Sequence, residues 1–113
     1  MLSNVAVIGA GVSGLTAAYA LKKIGIEVDV FERSESIKEF GAGITLSKNA
    51  TILLQDIGLM DSLSSKGHHP MGSYIRDYKK AKVIKSKRFD KNFITLDRRD
   101  LVATLATRLE DIG

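Results

Sequence analysis

Apolar and polar positions along this chain switch between two rhythms, and each switch predicts a change of element. Residues 4–8 (NVAVI) are a β-branched apolar run stopped by a glycine, which predicts a short buried strand. From Val12 to Ile24 the period lengthens: Leu15, Ala18 and Leu21 recur at helical spacing, Lys22 and Lys23 fall in the last turn, and Gly25 supplies the stop. Residues 26–32 (IEVDVFE) alternate again and close on an acid. The first 32 residues therefore predict strand, turn, helix and strand, at the length a right-handed parallel crossover requires.

Further along, Gly41 to Thr45 (GAGIT) predicts a loop, and Ser47 caps a helix running to about Ile57 with Ala50, Leu53, Leu54 and Ile57 on one face. A weaker helical turn is expected between Leu59 and Ser65, and Gly67-His68-His69-Pro70 reads as a turn. Ser73 to Arg88 alternates on either side of Lys79-Lys80, which predicts an antiparallel pair, and Phe93 to Leu96 one more short strand. From Asp97 to about Asp111 the helical period returns, with Leu101, Leu105 and Leu109 stacked at four-residue intervals as a core stripe. Only two parallel strands are expected. In a doubly wound sheet a helix at this place hands over to a further strand, so residues 1–113 read as a single, incomplete domain.

Composition narrows the classes. Apolar residues make up 44% and charged residues 27% of 113, the balance of a globular chain that buries one core. With no cysteine there is no disulfide framework, thiolate metal site or cysteine nucleophile, which fits a reducing cytoplasm. The stretch from Val5 to Leu21 carries three glycines and lacks a basic leader, so neither a signal peptide nor a transmembrane segment is expected. Residues 76–91 hold eight Lys and Arg against two Asp, +6 out of a net +4, so the remaining residues sum to −2. That segment reads as a solvated edge hairpin rather than a nucleic-acid surface, leaving attraction of an anionic substrate or lipid headgroup as the other use of its charge. His68-His69 has no partner at metal-ligand spacing and reads as a surface turn, so no metal is expected.

The chemistry lies in the first turn. Gly9-Ala10-Gly11-Val12-Ser13-Gly14 matches G-x-G-x-x-G: Gly9 for the tight turn, Gly11 for close approach of a pyrophosphate to the backbone, Gly14 for helix-strand packing. Taken alone the pattern is weak, but here it follows a predicted strand, opens a predicted helix, and has Glu32 eighteen residues beyond Gly14, where a carboxylate accepts hydrogen bonds from a ribose diol. A pyrophosphate would sit on the amides of Gly11, Val12 and Ser13, at the positive end of the helix. Glu32 disfavours a 2′-phosphorylated ribose; NAD and FAD both remain.

Beyond Glu32 the chain resembles the flavoprotein aromatic hydroxylases, the single-component FAD monooxygenases that include salicylate-, kynurenine- and ubiquinone-pathway hydroxylases. Three stretches carry the resemblance: Val5 to Arg33, ending Phe31-Glu32-Arg33; Gly41-Ala42-Gly43-Ile44 with Leu46-Ser47-Lys48-Asn49-Ala50 and Ile57-Gly58-Leu59; and Asp97-Arg98-Arg99-Asp100-Leu101. The resemblance implies an α/β fold, a Rossmann-like FAD/NAD(P)-binding domain with its β-α-β unit followed by a helix, an antiparallel hairpin and a C-terminal helix. It implies that Glu32 binds the adenosine ribose, that Arg33 lies along the adenine, that Ala42 and Gly43 pass close to the flavin or its ribityl chain, and that Arg98 reaches the pyrophosphate, with Arg99 as the neighbouring choice. It implies FAD as cofactor, NAD(P)H as transient electron donor, and O2 with a small aromatic substrate as reactants that meet through a flavin C4a-hydroperoxide.

The chain departs from the family at Lys48, where relatives often carry proline, and at Asp97, where many carry histidine; both bear on helix entry. The family's Asp-Gly and Gly-Asp motifs are expected beyond residue 113, so no catalytic residue is named. Another FAD-dependent oxidoreductase of the superfamily, of amine oxidase or halogenase type, and a non-catalytic nucleotide-binding module stay open. The chain on its own is expected to bind FAD weakly or not at all, to show no turnover, and to self-associate through exposed sheet edges.

Overall fold

The computed structural model describes residues 4–34 and 42–113. Strand β1 (Asn4–Ile8), helix α1 (Val12–Lys23) and strand β2 (Glu27–Phe31) follow the predicted order, and β1 and β2 pair in parallel with Val5 opposite Val28 and Ile8 opposite Phe31. The expected helix end at Ile24 holds to within one residue. Ile24 is the C-cap and Gly25 follows at φ +89°, a conformation that suits glycine at a helix stop.

The expectation of a buried β1 is corrected. Val5 and Val7 are half-buried, but alternate residues face outward, and Ile8 is 81% exposed beside the exposed Phe31 of β2. An apolar run becomes a strand buried on both faces only when both faces are covered. Among the described residues α1 covers one.

A second pairing was not legible locally. Residues 43–45 of the expected loop belong to strand β3 (Gly43–Leu46), antiparallel to β6 (Ile94–Asp97), with Ile44 opposite Leu96 and Leu46 opposite Ile94. Its partner lies some fifty residues away, and the glycines concealed the alternation of Ile44 and Leu46. The expected turn at His68 likewise extends this sheet: His68 and Thr95 exchange backbone hydrogen bonds of 2.9 and 2.8 Å. Gly41 lies outside the described residues.

Helix α2 (Lys48–Asp56) and the short α3 (Met60–Ser64) follow β3, and the long α4 (Arg98–Asp111) follows β6. Between α3 and β6 rises a hairpin, β4 (Gly72–Arg76) with β5 (Val83–Arg88). The core gathers Leu15 and Tyr19 of α1, Leu54 of α2, Leu63 of α3, Ile94 and Leu96 of β6, and Leu101 and Leu105 of α4. Each fully buried side chain of this kind stabilises the fold by roughly 1.5–3 kcal/mol. Leu109, expected in the same stripe, is only partly buried and packs at its margin. Tyr19 is wholly buried, and its hydroxyl accepts a hydrogen bond from Arg108 of α4 at 3.2 Å. Arg108 also donates to Ser62 Oγ at 2.9 Å, so one guanidinium joins α1, α3 and α4.

Candidate dinucleotide-binding site

The glycine turn sits where β1 and β2 end together. Gly9 adopts φ +102°, which reverses the chain at little cost only for glycine, and its N–H donates to the Phe31 carbonyl at 2.7 Å. Ala10 is buried, and Gly11 is the N-cap of α1. A side chain at Gly14 is not accommodated: a Cβ there would lie 1.9 Å from the Gly9 carbonyl oxygen and 3.4 Å from Val7 Cγ1. The helix meets the glycine turn backbone to backbone at this point, with the Val7 side chain of β1 beside it.

No side chain caps the amino end of α1 and no acid occupies its first turn. A Cβ placed on Gly11 would meet no atom within 4 Å, so the space in front of the helix amides is open to a ligand. Unpaired N–H groups at the positive end of a helix are an anion site, and here the approach to them is unobstructed. Gly9 and Gly11 present no side chain in front of these amides.

Glu32 follows β2 directly and turns back on the glycine loop. Its Oε2 accepts from the Ala10 N–H at 2.6 Å and its Oε1 from the Ser34 N–H at 3.3 Å. The Ala10 hydrogen bond above all, then the Ser34 one, hold the carboxyl below the ordinary value of 4.5 and so keep it ionised. An ionised carboxylate has about four acceptor positions. Backbone N–H groups of Ala10, Ser34 and Arg33 act on it, and the residue is exposed. Arg33 is the next, exposed, residue.

Ala42, Gly43 and Arg98 form a second cluster. Gly43 pairs with Asp97 across β3 and β6, and the Ala42 carbonyl accepts from the Arg98 N–H at 2.8 Å. The two arginines at the start of α4 part company here. Arg99 is 63% exposed and forms an ion pair with Asp97 at 2.6 Å, whereas Arg98 is half-buried next to Ala42. Asp97 makes this choice: as N-cap of α4 it accepts the Arg99 N–H at 2.8 Å, and with the Arg99 side chain also bound to it, its pKa falls from 3.8 to about 2. An aspartate four positions ahead of the apolar Leu101 is a capping signal carried by the sequence itself. At Ser47 the expected side-chain cap is absent, the hydroxyl donating instead to Asn49 Oδ1.

A groove of about 470 Å³ runs between α1 and α2. Val12, Ser13 and Thr16 of α1 form one wall, and Leu46, Leu53 and Leu101 contribute the other, with Leu101 one turn beyond Arg98. Nothing local marks Leu46 or Leu101 as a groove residue, because an apolar side chain lining a groove has the same spacing as one in the core, where Leu101 also lies. His68 and His69 lie apart from all of this. His69 Nε2 contacts Ser64 Oγ at 3.0 Å, and no cluster able to hold a metal occurs among the described residues.

With that geometry in view, comparison with known proteins is decisive. The family described as "FAD binding domain" matches residues 3–109, nearly the whole chain. The chain belongs to this FAD-binding domain family. Among its relatives is a 6-hydroxynicotinate 3-monooxygenase of Pseudomonas fluorescens, 33% identical over 96% of this chain and 30% of that protein. The solved 2-methyl-3-hydroxypyridine-5-carboxylic acid oxygenase superposes with a TM-score of 0.90 at 30% identity, over 99% of this chain and 30% of that one. Klebsiella pneumoniae HpxO, solved with FAD and uric acid, superposes with a TM-score of 0.81 at 26% identity, over 92% and 28%. The chain thus spans about 30% of the length of such FAD-binding relatives. Among the described residues no helix is long and apolar enough to cross a membrane.

Proposed function

We propose that this chain supplies the N-terminal FAD-binding portion of a flavin-dependent monooxygenase that hydroxylates an aromatic or related small molecule. The observation that carries the reading is the Glu32 carboxylate hydrogen-bonded to Ala10 inside the glycine turn, beside an open helix end. A diphosphate on the amides of Gly11, Val12 and Ser13, with Gly9 and Gly14 shaping the turn, brings the adjoining ribose to Glu32, and Arg33 lies toward the adenine. The flavin half would extend from there toward Ala42, Gly43 and Arg98.

FAD held by these residues would supply the redox chemistry, in which the two electrons of NAD(P)H and one O2 put one oxygen atom on the ring and release the other as water. The chain's own residues bind and orient. The α1 amides neutralise the diphosphate, and Glu32 selects an unphosphorylated ribose by repelling a 2′-phosphate. The half-buried Arg98 brings positive charge to the floor beside Ala42. The substrate class is supported by relatives whose names specify hydroxynicotinate and urate as the compounds they act on.

The test is made on the protein at its native length. Purified protein should carry flavin absorbance bands near ~370 and ~450 nm that NADH or NADPH bleaches without oxygen. A colourless protein that cannot be reconstituted with FAD ends the proposal. Within the site, Glu32→Gln should weaken FAD binding by about tenfold, the loss of a charge-assisted hydrogen bond of ~1.5 kcal/mol. An unchanged dissociation constant would remove Glu32 from the ribose.

A further inference from the structure

Two consecutive N–H groups tie the glycine turn to the end of β2, and they end on acceptors of different kinds. Gly9 N–H donates to the Phe31 carbonyl at 2.7 Å, a backbone contact that any pair of side chains would permit. The next N–H, that of Ala10, ends on a side chain: Glu32 Oε2 lies 2.6 Å away, from a residue 22 positions along the chain. Ala10 is only 4% exposed, and a backbone N–H in such a place is costly unless an acceptor reaches it. Donor and acceptor both belong to the β1–α1–β2 crossover, so the contact is complete within this unit.

What the carboxylate fixes is the peptide plane between Gly9 and Ala10. From that plane only the φ and ψ of Ala10 lead to the plane carrying the Gly11 N–H, the first of the amides offered to a diphosphate. On its other side Gly11 is held by the helix, its carbonyl accepting from Leu15 N–H at 3.0 Å. The orientation of the amides is therefore set from both ends, by α1 and by Glu32 acting through Ala10. The tether matters because Gly9, Gly11 and Gly14 give this stretch more backbone freedom than any other residue type would. The Ala10 amide is also the largest of the effects that keep Glu32 ionised, so the two groups stabilise each other.

We propose that Glu32 is a positioning residue for the diphosphate cradle in addition to a ligand of the ribose: by taking the Ala10 N–H it sets the glycine turn in its binding form before FAD arrives. Ordering completed before a ligand arrives is not subtracted from its affinity. The effect on affinity rests on the flavin reading above; the ordering of the turn does not.

Two ligands and two variants separate the roles, with native-length protein stripped of flavin. The ligands are FAD and its analogue with a 2′,3′-dideoxyribose on the adenine side, which offers Glu32 no hydroxyl. Glu32→Gln keeps an oxygen that accepts from the Ala10 N–H, and Glu32→Ala keeps none. Both variants should lose affinity for FAD. For the dideoxy analogue Glu32→Gln should stay within about threefold of the native protein, whereas Glu32→Ala should bind about tenfold more weakly, the loss of one charge-assisted hydrogen bond. A residue that serves the ribose alone gives native affinity for the analogue in both variants, and that result overturns the proposal, as does an equal loss in both. Hydrogen exchange followed by mass spectrometry supplies a readout without ligand: the peptide spanning residues 9–14 should exchange faster in Glu32→Ala and at the native rate in Glu32→Gln. Equal exchange in Glu32→Ala and the native protein overturns the proposal whether or not FAD binds, so this arm decides even if the flavin reading falls. Circular dichroism verifies the fold of each variant, and Glu32→Asp, one methylene too short to reach Ala10, takes the place of Glu32→Ala if that variant does not fold.

Discussion

The β1–α1–β2 crossover and the β4–β5 hairpin are both strand pairs written in alternating apolar and polar residues, yet they meet opposite fates. In the crossover, α1 lies over one face of the sheet and is itself held by α4, so Leu15, Ala18 and Tyr19 lose all contact with water. The hairpin stands on its own turn and ladder, and Ile75, Val83 and Ile84 stay exposed. Alternation specifies a strand. Burial needs a second layer, and it is the layer that makes a region expensive to alter.

The largest way to test this contrast is Gly14→Val. Its Cβ would fall on the Gly9 carbonyl, a backbone atom that cannot step aside, so α1 must lift from β1. Stability should drop by at least about 3 kcal/mol in chemical denaturation, at the top of the range for overpacking. A loss below 1 kcal/mol would mean that the helix and strand do not touch.

Next comes a matched pair. Leu105→Ala removes a fully buried side chain of α4 and should cost about 3 kcal/mol, whereas Ile84→Ala in the hairpin should stay within about 0.5 kcal/mol. Equal losses in the two variants would show that the hairpin is covered in solution.

Acid sharpens the comparison from another side. Asp97 has its pKa lowered from 3.8 to about 2 by Arg99, and Glu32 is lowered from 4.5 by the Ala10 amide. Both groups bind protons less readily when folded, so the stability they lend is present above pH 4.5 and is lost as the pH falls, for Asp97 between 3.8 and about 2. Thermal unfolding followed across that window should fall for the native chain and fall less for Asp97→Asn. Curves that run parallel would detach Asp97 from the α4 cap.

The smallest effect is expected in the hairpin turn. Ala81 holds φ +55°, a left-handed conformation that costs an L-residue roughly 1–2 kcal/mol, part of which glycine returns as unfolded-chain entropy. Ala81→Gly should therefore stabilise by about 0.5 kcal/mol, and a destabilised variant would show that the turn opens in solution.

Of the site, the part built from contiguous residues was legible beforehand. Gly9 to Gly14 and Glu32 belong to one crossover, and the spacing that predicted their meeting is the spacing that brings Glu32 Oε2 to 2.6 Å from the Ala10 nitrogen. The Ala42, Gly43 and Arg98 cluster was reached only through family resemblance, since its geometry depends on β3 pairing with a strand some fifty residues away. No local spacing separates Arg98 from Arg99; in the structure Arg99 pairs with Asp97 and Arg98 is half-buried.

Local order was thus written in the sequence: the strand and helix periods, the glycine turn with its acid, the two ends of α4, and the hairpin with its positive charge. These features depend on steric and electrostatic effects within a few turns of chain. Only the tertiary structure decided which apolar residues are buried, that a glycine-rich stretch is a strand, and which arginine turns inward. Those outcomes depend on what arrives from elsewhere in the chain to cover a face or complete a ladder, and no local spacing encodes the partner.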